Sequence, residues 1–372
     1  MVRGERSDGS RQYRSLDDLE VLALAQQNPD ALVRGADRLT LDEVQRAPSL
    51  LLAIKRTVDE DRRPGRFILT GSTNLLLAQQ VTENLAGRAI YLTLWPMTRR
   101  EQLGQGRAGL WSDLFATPAR AWKELLEAES PPAEDWLALA LRGGYPVPAY
   151  HLHEPEARRQ WFVGYTQTYL ERDLQDLSQV GSIVDFRRLM RALCLRLGNL
   201  VNQSEVARDL GIPQTTVGRH LGLLEVSYQL ARLPAYAVNR TKRLIKTPKA
   251  YWCDTGLALS LAGEHQPRGA HLENLVFCDL LAWQASELGV PQLLYWRTTT
   301  GEEVDLVIEW NGRLLPVEVK AAKRASVSDA KSLLLFRSEY GEAALPGLVL
   351  YDGERVENLA EGVLAIPWWK VI

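Results

Sequence analysis

The chain has 372 residues, of which 46% are hydrophobic and 24% charged, and its formal net charge is −2. That balance suits two or three soluble domains and excludes a protein that coats nucleic acid over its whole surface, so any polyanion site has to be a local patch. Cys194, Cys253 and Cys278 are odd in number and widely spaced, which argues against a disulfide framework or a metal-ligand pattern and fits a reducing compartment. No apolar run reaches membrane-spanning length, and the charged start MVRGERSDGSRQYRS lacks the apolar core of a signal peptide, so a cytoplasmic protein without a membrane partner is expected.

Residues 11–105 alternate strand-like and helix-like segments, as in an α/β layer with a parallel sheet. RQYRSLDD reads as a strand, EVLALAQQNPDALV as a helix, RLTLDE as a strand and PSLLLAIKRTVDED as a helix. GRFILTGS follows as a strand with a polar end, and AIYLTLWPM as a further one. RLTLDE ends in Asp42 and Glu43. Two adjacent acids there suit a Walker B element, one carboxylate for Mg²⁺ and the other for the attacking water. The competing reading is an ordinary strand end facing solvent. The phosphate-cradling loop such a site needs, G-x-x-x-x-G-K-[ST], is missing, since no Gly-Lys pair occurs in the sequence.

Residues 106–200 are mostly helical in pattern, with one break at RGGYPVPAY. In 201–262, VNQSEVARDLGIPQTTVGRHLGLLE reads as two short helices joined at Gly211, with Ser204 as N-cap of the first and Pro213 near the start of the second. Ala207, Leu210, Ile212, Val217 and Leu221 would close a small helix-turn-helix core. A hairpin-like stretch with the basic tip AVNRTKRLIKTPK completes a winged helix-turn-helix, and its Arg240, Lys242, Arg243, Lys246 and Lys249 are candidates for phosphate contacts. Gln214, Thr215 and Arg219 face outward on the second helix, where they could reach base edges. A wing that packs on other domains is the alternative.

From residue 263 a helix, HLENLVFCDLLAW, precedes the strands LLYW, EVDLVIEW and RLLPVEVK, then a helix and the strand GLVLYDG. Asn311-Gly312 marks a hairpin between the second and third strands. Asp305 lies on one of these, and Glu318 and Lys320, two apart, share a face of the next. An Asp with Glu-x-Lys on the following strand is the pattern of the PD-(D/E)xK nucleases. There two carboxylates hold Mg²⁺ and the lysine acts on the water or the scissile phosphate. Glu273 on the preceding helix matches an extra acid that many members carry. Glu309, outside the motif, is expected to be a neutral position. An amphipathic hairpin with its polar residues outward is the competing reading.

Taken together, LTLDEVQRAP, GRFILTGSTNLLL, LAGR, RGGYP, YLERDLQDL, the helix-turn-helix, TPKAYWCDTGL, HLENLV and YWRTTTGEEVDLVIE…LPVEVK occur in the order of a known family. The chain resembles the AAA-type ATP-binding proteins whose C-terminal half is domain of unknown function four-one-four-three. The resemblance implies a P-loop strand and helix where this chain has only MVRGERSDGS. The two explanations are a start called late and a protein that has lost ATP binding.

The resulting expectation is an α/β protein in four parts. Residues 1–105 would be an AAA-type core fragment without Walker A and 106–200 a helical linker. Residues 201–262 would be the winged helix-turn-helix and 263–372 a restriction-endonuclease-like domain. The resemblance implies ATP and Mg²⁺ as cofactors, although the chain as written should not bind ATP. It makes Asp42 and Glu43 the Walker B acids, Ser72 or Asn74 a sensor of the γ-phosphate, and Arg88 an arginine serving the same or a neighbouring subunit. DNA and a second copy of the chain are the expected partners. Without a P-loop strand, GRFILTGS and AIYLTLWPM should either pair directly or leave an open cleft. Two readings stay open: an enzyme acting on DNA through Glu273, Asp305, Glu318 and Lys320, and a winged-helix scaffold.

Overall fold

The computed structural model describes residues 11–71, 85–128, 131–168 and 182–372. It divides into two compact units, Met1–Tyr91 and Leu92–Ile372.

In the first unit, strand β1 (Arg11–Ser15) leads to helices α1 (Leu19–Gln27) and α2 (Pro29–Arg34). The single helix expected here breaks because Asn28 turns its side chain to cap α2 at the Ala31 amide (3.1 Å), with Pro29 pre-set for the first helical position. Strand β2 (Arg38–Asp42), helix α3 (Ser49–Glu60) and strand β3 (Phe67–Leu69) complete a parallel sheet of order β1-β2-β3. Leu39 and Leu41 of β2 pack with Leu50, Leu51 and Ile54 of α3 and with Leu32 and Val33 of α2. The strand expected at AIYLTLWPM is absent, and Ile90, Leu92 and Leu94 are exposed. An alternating apolar stretch becomes a strand only beside a neighbour that takes its backbone bonds, and among the described residues this one has none.

The second unit begins with α4 (Arg99–Gln102), α5 (Trp111–Ala116), α6 (Trp122–Ala128), α7 (Trp136–Arg142) and α8 (Pro155–Tyr165). Helix α9 (Ile183–Leu195) precedes α10 (Gln203–Leu210) and α11 (Gln214–Val226), which are joined through Gly211 at φ +66°. The N-cap of α10 is Asn202, which accepts from the Ser204 amide at 3.0 Å; Ser204, the expected cap, lies inside the helix. Val217 and Leu221 are fully buried, as their spacing predicts. Strand β4 (Leu230–Leu233) and strand β5 (Lys249–Trp252) form an antiparallel pair, and the basic tip between them contains helix α12 (Arg240–Ile245).

Helix α13 (Thr255–Ala262) is capped by Asp254, which accepts from the Leu257 amide at 2.8 Å and from the Gly144 amide at 2.5 Å. A Cβ at Gly143, whose φ is +68°, would lie 2.5 Å from the Asp254 carboxylate. The RGGYP and CDTG stretches are thus the two halves of one buried joint, and the diglycine is needed for the close approach.

Helix α14 (Gly269–Ser286) leads into strands β6 (Gln292–Arg297), β7 (Glu303–Trp310) and β8 (Arg313–Lys320). Helix α15 (Lys331–Tyr340), strands β9 (Gly347–Tyr351), β10 (Glu357–Ala360) and β11 (Val363–Pro367), and helix α16 (Trp368–Val371) follow. The mixed sheet has the order β10-β11-β9-β8-β7-β6. Asn311 and Gly312, at φ +51° and +76°, make the β7–β8 turn that the sequence predicts. Leu272, Val276 and Leu280 of α14 pack with Leu306, Ile308, Leu315 and Val317, while Leu333 and Phe336 of α15 pack with Val304, Val307 and Val349. Alternation along the strands therefore serves two buried faces. The start of the unit is tied to its end: Arg99 donates to the carbonyls of Trp369 (3.1 Å) and Ile372 (3.0 Å), and Arg100 to those of Lys370 (2.9 Å) and Val371 (3.3 Å).

Candidate functional site

Asp42 closes β2 in the first unit. Its Oδ2 accepts from the Tyr13 hydroxyl at 2.6 Å and the Ser15 hydroxyl at 3.4 Å, and its Oδ1 accepts from Thr70. Partial burial pushes this carboxyl up, but those hydroxyls and the Glu43 amide outweigh it and hold the group below its usual range. Glu43 sits in the left-handed region at φ 58°, an uncommon conformation for a residue with a Cβ and one that clusters at functional sites. Arg88 forks Asp59 at 2.7 and 3.0 Å, so its guanidinium already has a partner in the same unit. Ser72 and Asn74 lie outside the described residues.

The second unit brings together the four residues picked from the C-terminal segment. Opposite Tyr295 of β6 stand two residues of β7, Asp305 and Leu306, because Leu294 pairs with Val307 and Trp296 with Val304. This is a β-bulge, a device that re-aims a side chain. Beyond it the regular β7–β8 ladder stops at Leu306–Val317, and the two acids take over its bonding. The Asp305 amide donates to Glu318 Oε2 at 3.4 Å, and the Val319 amide donates to Asp305 Oδ2 at 3.0 Å. Lys320 Nζ donates to Glu318 Oε1 at 2.6 Å, as the two-residue spacing predicts.

Glu273 joins the group from α14 through a residue assigned above to the basic tip. Lys249, only 2% exposed, opens β5 and places Nζ 3.2 Å from Glu273, 2.7 Å from Glu303 and 3.5 Å from Asp305. Tyr251 donates to Glu273 as well. Burial and the neighbouring Asp305 carboxylate push the Glu273 carboxyl up to about 7 and that of Glu318 up to about 8, against the pull of Lys249 and Lys320 respectively. Burial works against the Lys249 ammonium, yet the three acids hold its pKa above the ordinary lysine value. Glu303 and Tyr251 escape the sequence reading because neither belongs to the Asp…Glu-x-Lys spacing. Lys249 left one signal: a lysine opening KAYW, a strand buried on both faces, needs a buried partner.

The donors are hard carboxylate oxygens, the chemistry that Mg²⁺ prefers. The geometry does not fit a divalent ion in this conformation. Lys249 Nζ occupies the point between three acids, and among the described residues no three His, Cys, Asp or Glu side chains are arranged to hold a metal.

The expected nucleic-acid residues separate into two groups. Gln214, Thr215, Arg219, Arg240, Lys242 and Lys246 are exposed. Arg243 is buried: it donates to Ala237 O at 2.7 Å and Gln292 Oε1 at 2.9 Å, and it pairs with Glu309. Arg243 and Lys249 therefore neutralise acids within the protein, and Glu309 is the half-buried partner of Arg243.

Comparison with known proteins places the chain. It is 31% identical over 337 residues to an uncharacterized protein of Mycobacterium tuberculosis, covering 88% of this chain and 68% of that one; an uncharacterized protein of Mycobacterium bovis matches equally. An uncharacterized protein of Haemophilus influenzae is 21% identical over 313 residues, covering 81% of this chain and 70% of its own length. Residues 3–103 match the family model of an AAA domain and residues 268–371 that of a domain of unknown function, DUF4143. The chain belongs to this AAA-type family. A second domain of unknown function, DUF8612, covers residues 133–268. No solved structure matches the chain significantly. In this AAA-type protein Asp42 and Glu43 lie in the AAA domain, whereas Glu273, Asp305, Glu318 and Lys320 lie in DUF4143. Lys249, which binds the acids together, comes from the preceding domain.

Proposed function

We propose that this AAA-type protein acts on DNA. In this reading the DUF4143 domain carries a phosphodiester-directed centre of the PD-(D/E)xK kind, and residues 201–262 form a winged helix-turn-helix that holds duplex near it. The observation that carries the reading is convergence. Glu273, Asp305, Glu318 and Lys320, from one helix and two strands, join one partly buried ionic group through Lys249 and the end of the β7–β8 hairpin. An amphipathic hairpin would point such groups at water. Burying several charges costs stability even when they are paired, and clusters of perturbed carboxyls and lysines gather at functional sites. The exposed Gln214, Thr215 and Arg219, with Arg240, Lys242 and Lys246, supply base-reading and phosphate-binding groups for the DNA. In the AAA domain we read Asp42 as the acid for Mg²⁺ and Glu43 as the one for the attacking water.

The test is cleavage of plasmid and branched DNA by the full chain with Mn²⁺ or Mg²⁺, alone and with a P-loop segment and ATP supplied. Asp305→Asn and Lys320→Ala should each lower the rate by about 10²-fold or more, because a charge-stabilising or proton-handling group is lost. Wild-type protein and a Lys249→Met variant that both leave every substrate intact under all these conditions would reject the cleavage reading.

A further inference from the structure

We propose that Lys249 is a built-in cation that keeps the carboxylate centre shut, competing with a divalent ion for Glu273, Glu303 and Asp305. This rests on the reading of the centre given above and deepens it. The ammonium lies within 3.5 Å of all three acids, whereas a divalent ion needs carboxylate oxygens at about 2.0–2.6 Å around its own centre. Two cations cannot share that point, since in a buried site their repulsion is screened little.

The backbone holds the lysine in place. Lys249 bridges Leu200 as well as pairing with Leu233, the Val201 amide donates to Pro248 O at 2.9 Å, and the Gly198 amide donates to Ala250 O at 3.0 Å. At Gly198, φ +73°, an added Cβ would lie 3.2 Å from Glu273 Oε2, so the segment leading to α10 closes over the same acid. A backbone shift that withdraws Lys249 moves β5 and residues 198–201 together. These residues flank the two helices read as the DNA-binding element, which ties access to the acids to what those helices bind.

The experiment uses the full chain and Mn²⁺ as the probe, with bound Mn²⁺ read by the loss of the free-ion paramagnetic signal. Lys249→Met keeps the length of the side chain and removes its charge. The variant should bind one Mn²⁺ about tenfold or more tighter than wild type, a gain of the size that neighbouring groups impose on metal affinity. Adding Asp305→Asn should remove that gain. Should Lys249→Met fail to fold, acetylation of wild-type lysines followed by mass spectrometry decides the matter. Lys249 should be protected without metal and become reactive as Mn²⁺ saturates the protein. A folded Lys249→Met with unchanged Mn²⁺ affinity overturns the proposal, and so does a Mn²⁺-loaded wild type in which Lys249 stays protected. A variant that gains Mn²⁺ yet leaves DNA intact upholds the competition and rejects the cleavage reading. Wild type that cleaves DNA with Lys249 protected throughout does the reverse.

Discussion

Asp279, in the middle of α14, accepts through Oδ1 from the Trp111 indole at 2.6 Å and the Gly109 amide at 2.9 Å, while its Oδ2 has no hydrogen-bond partner among the described residues. Burial pushes this carboxyl up to about 6, against the pull of those two donors. A carboxyl whose folded pKa lies above its unfolded one holds its proton longer in the folded chain. Its contribution to stability is therefore complete below the unfolded value and lost as pH rises through about 6. Asp279→Asn keeps the accepting oxygen and removes the ionisation. We expect the stability difference between variant and wild type, measured by urea unfolding, to shift in the variant's favour by on the order of 2 kcal/mol between pH 4 and pH 7.5. A pH-independent difference would show that the carboxyl ionises in the folded chain as it does in the unfolded one. At the same scale Asp42 works the other way: hydroxyl donors hold a carboxylate ionised, the state a cation would require.

Arg243 ties helix α12 to the neighbouring sheet. Arg243 sits over the Tyr236 ring at 4.7 Å and connects the helix to β6 through Gln292 and to β7 through Glu309. Replacing Glu309 by Ala leaves a guanidinium buried with only neutral acceptors. We expect a loss of about 2–3 kcal/mol in urea unfolding, below the full cost of an orphaned buried charge because Ala237 O and Gln292 remain. An unchanged midpoint would mean that the pair contributes nothing. What was legible at this scale follows from the same physics. The β7–β8 hairpin could be read because Asn311-Gly312 and period-two alternation are local signals, and the spacing of Glu318 and Lys320 survives any packing. The bulge at Asp305 could not, because it is defined by the partner strand. Lys249 and Arg243 looked like neighbours of Arg240 and Lys242, since in a run of basic residues nothing local says which will meet a buried acid. AIYLTLWPM carries strand alternation, yet alternation shows a preference for a sheet and cannot supply the neighbouring strand.

For the molecule as a whole, a formal net charge of −2 makes the location of the cations decisive for the DNA binding proposed above. With Arg243 and Lys249 consumed inside, the exposed charge of the basic tip is Arg240, Lys242 and Lys246. Reversing those three should weaken duplex binding about equally across sequences and reduce the slope of log K against log salt by roughly 2–3, since each phosphate contact contributes about one. Fluorescence anisotropy over a salt series measures both quantities. A wild type that ignores duplex at low salt would make this surface a packing element. The tie between α4 and α16 has a consequence for how the chain is born. Arg99 and the carbonyl of Trp369 are 270 positions apart. At translation rates of about 5–20 residues per second, the arginine pair waits roughly a quarter of a minute to a minute for its acceptors to be made. Throughout that interval the second unit lacks its closing turn. A ribosome that stalls late in translation would expose Leu110 and Trp111 to chaperones, because Trp368 and Val371, part of the same core, have not yet arrived to cover them.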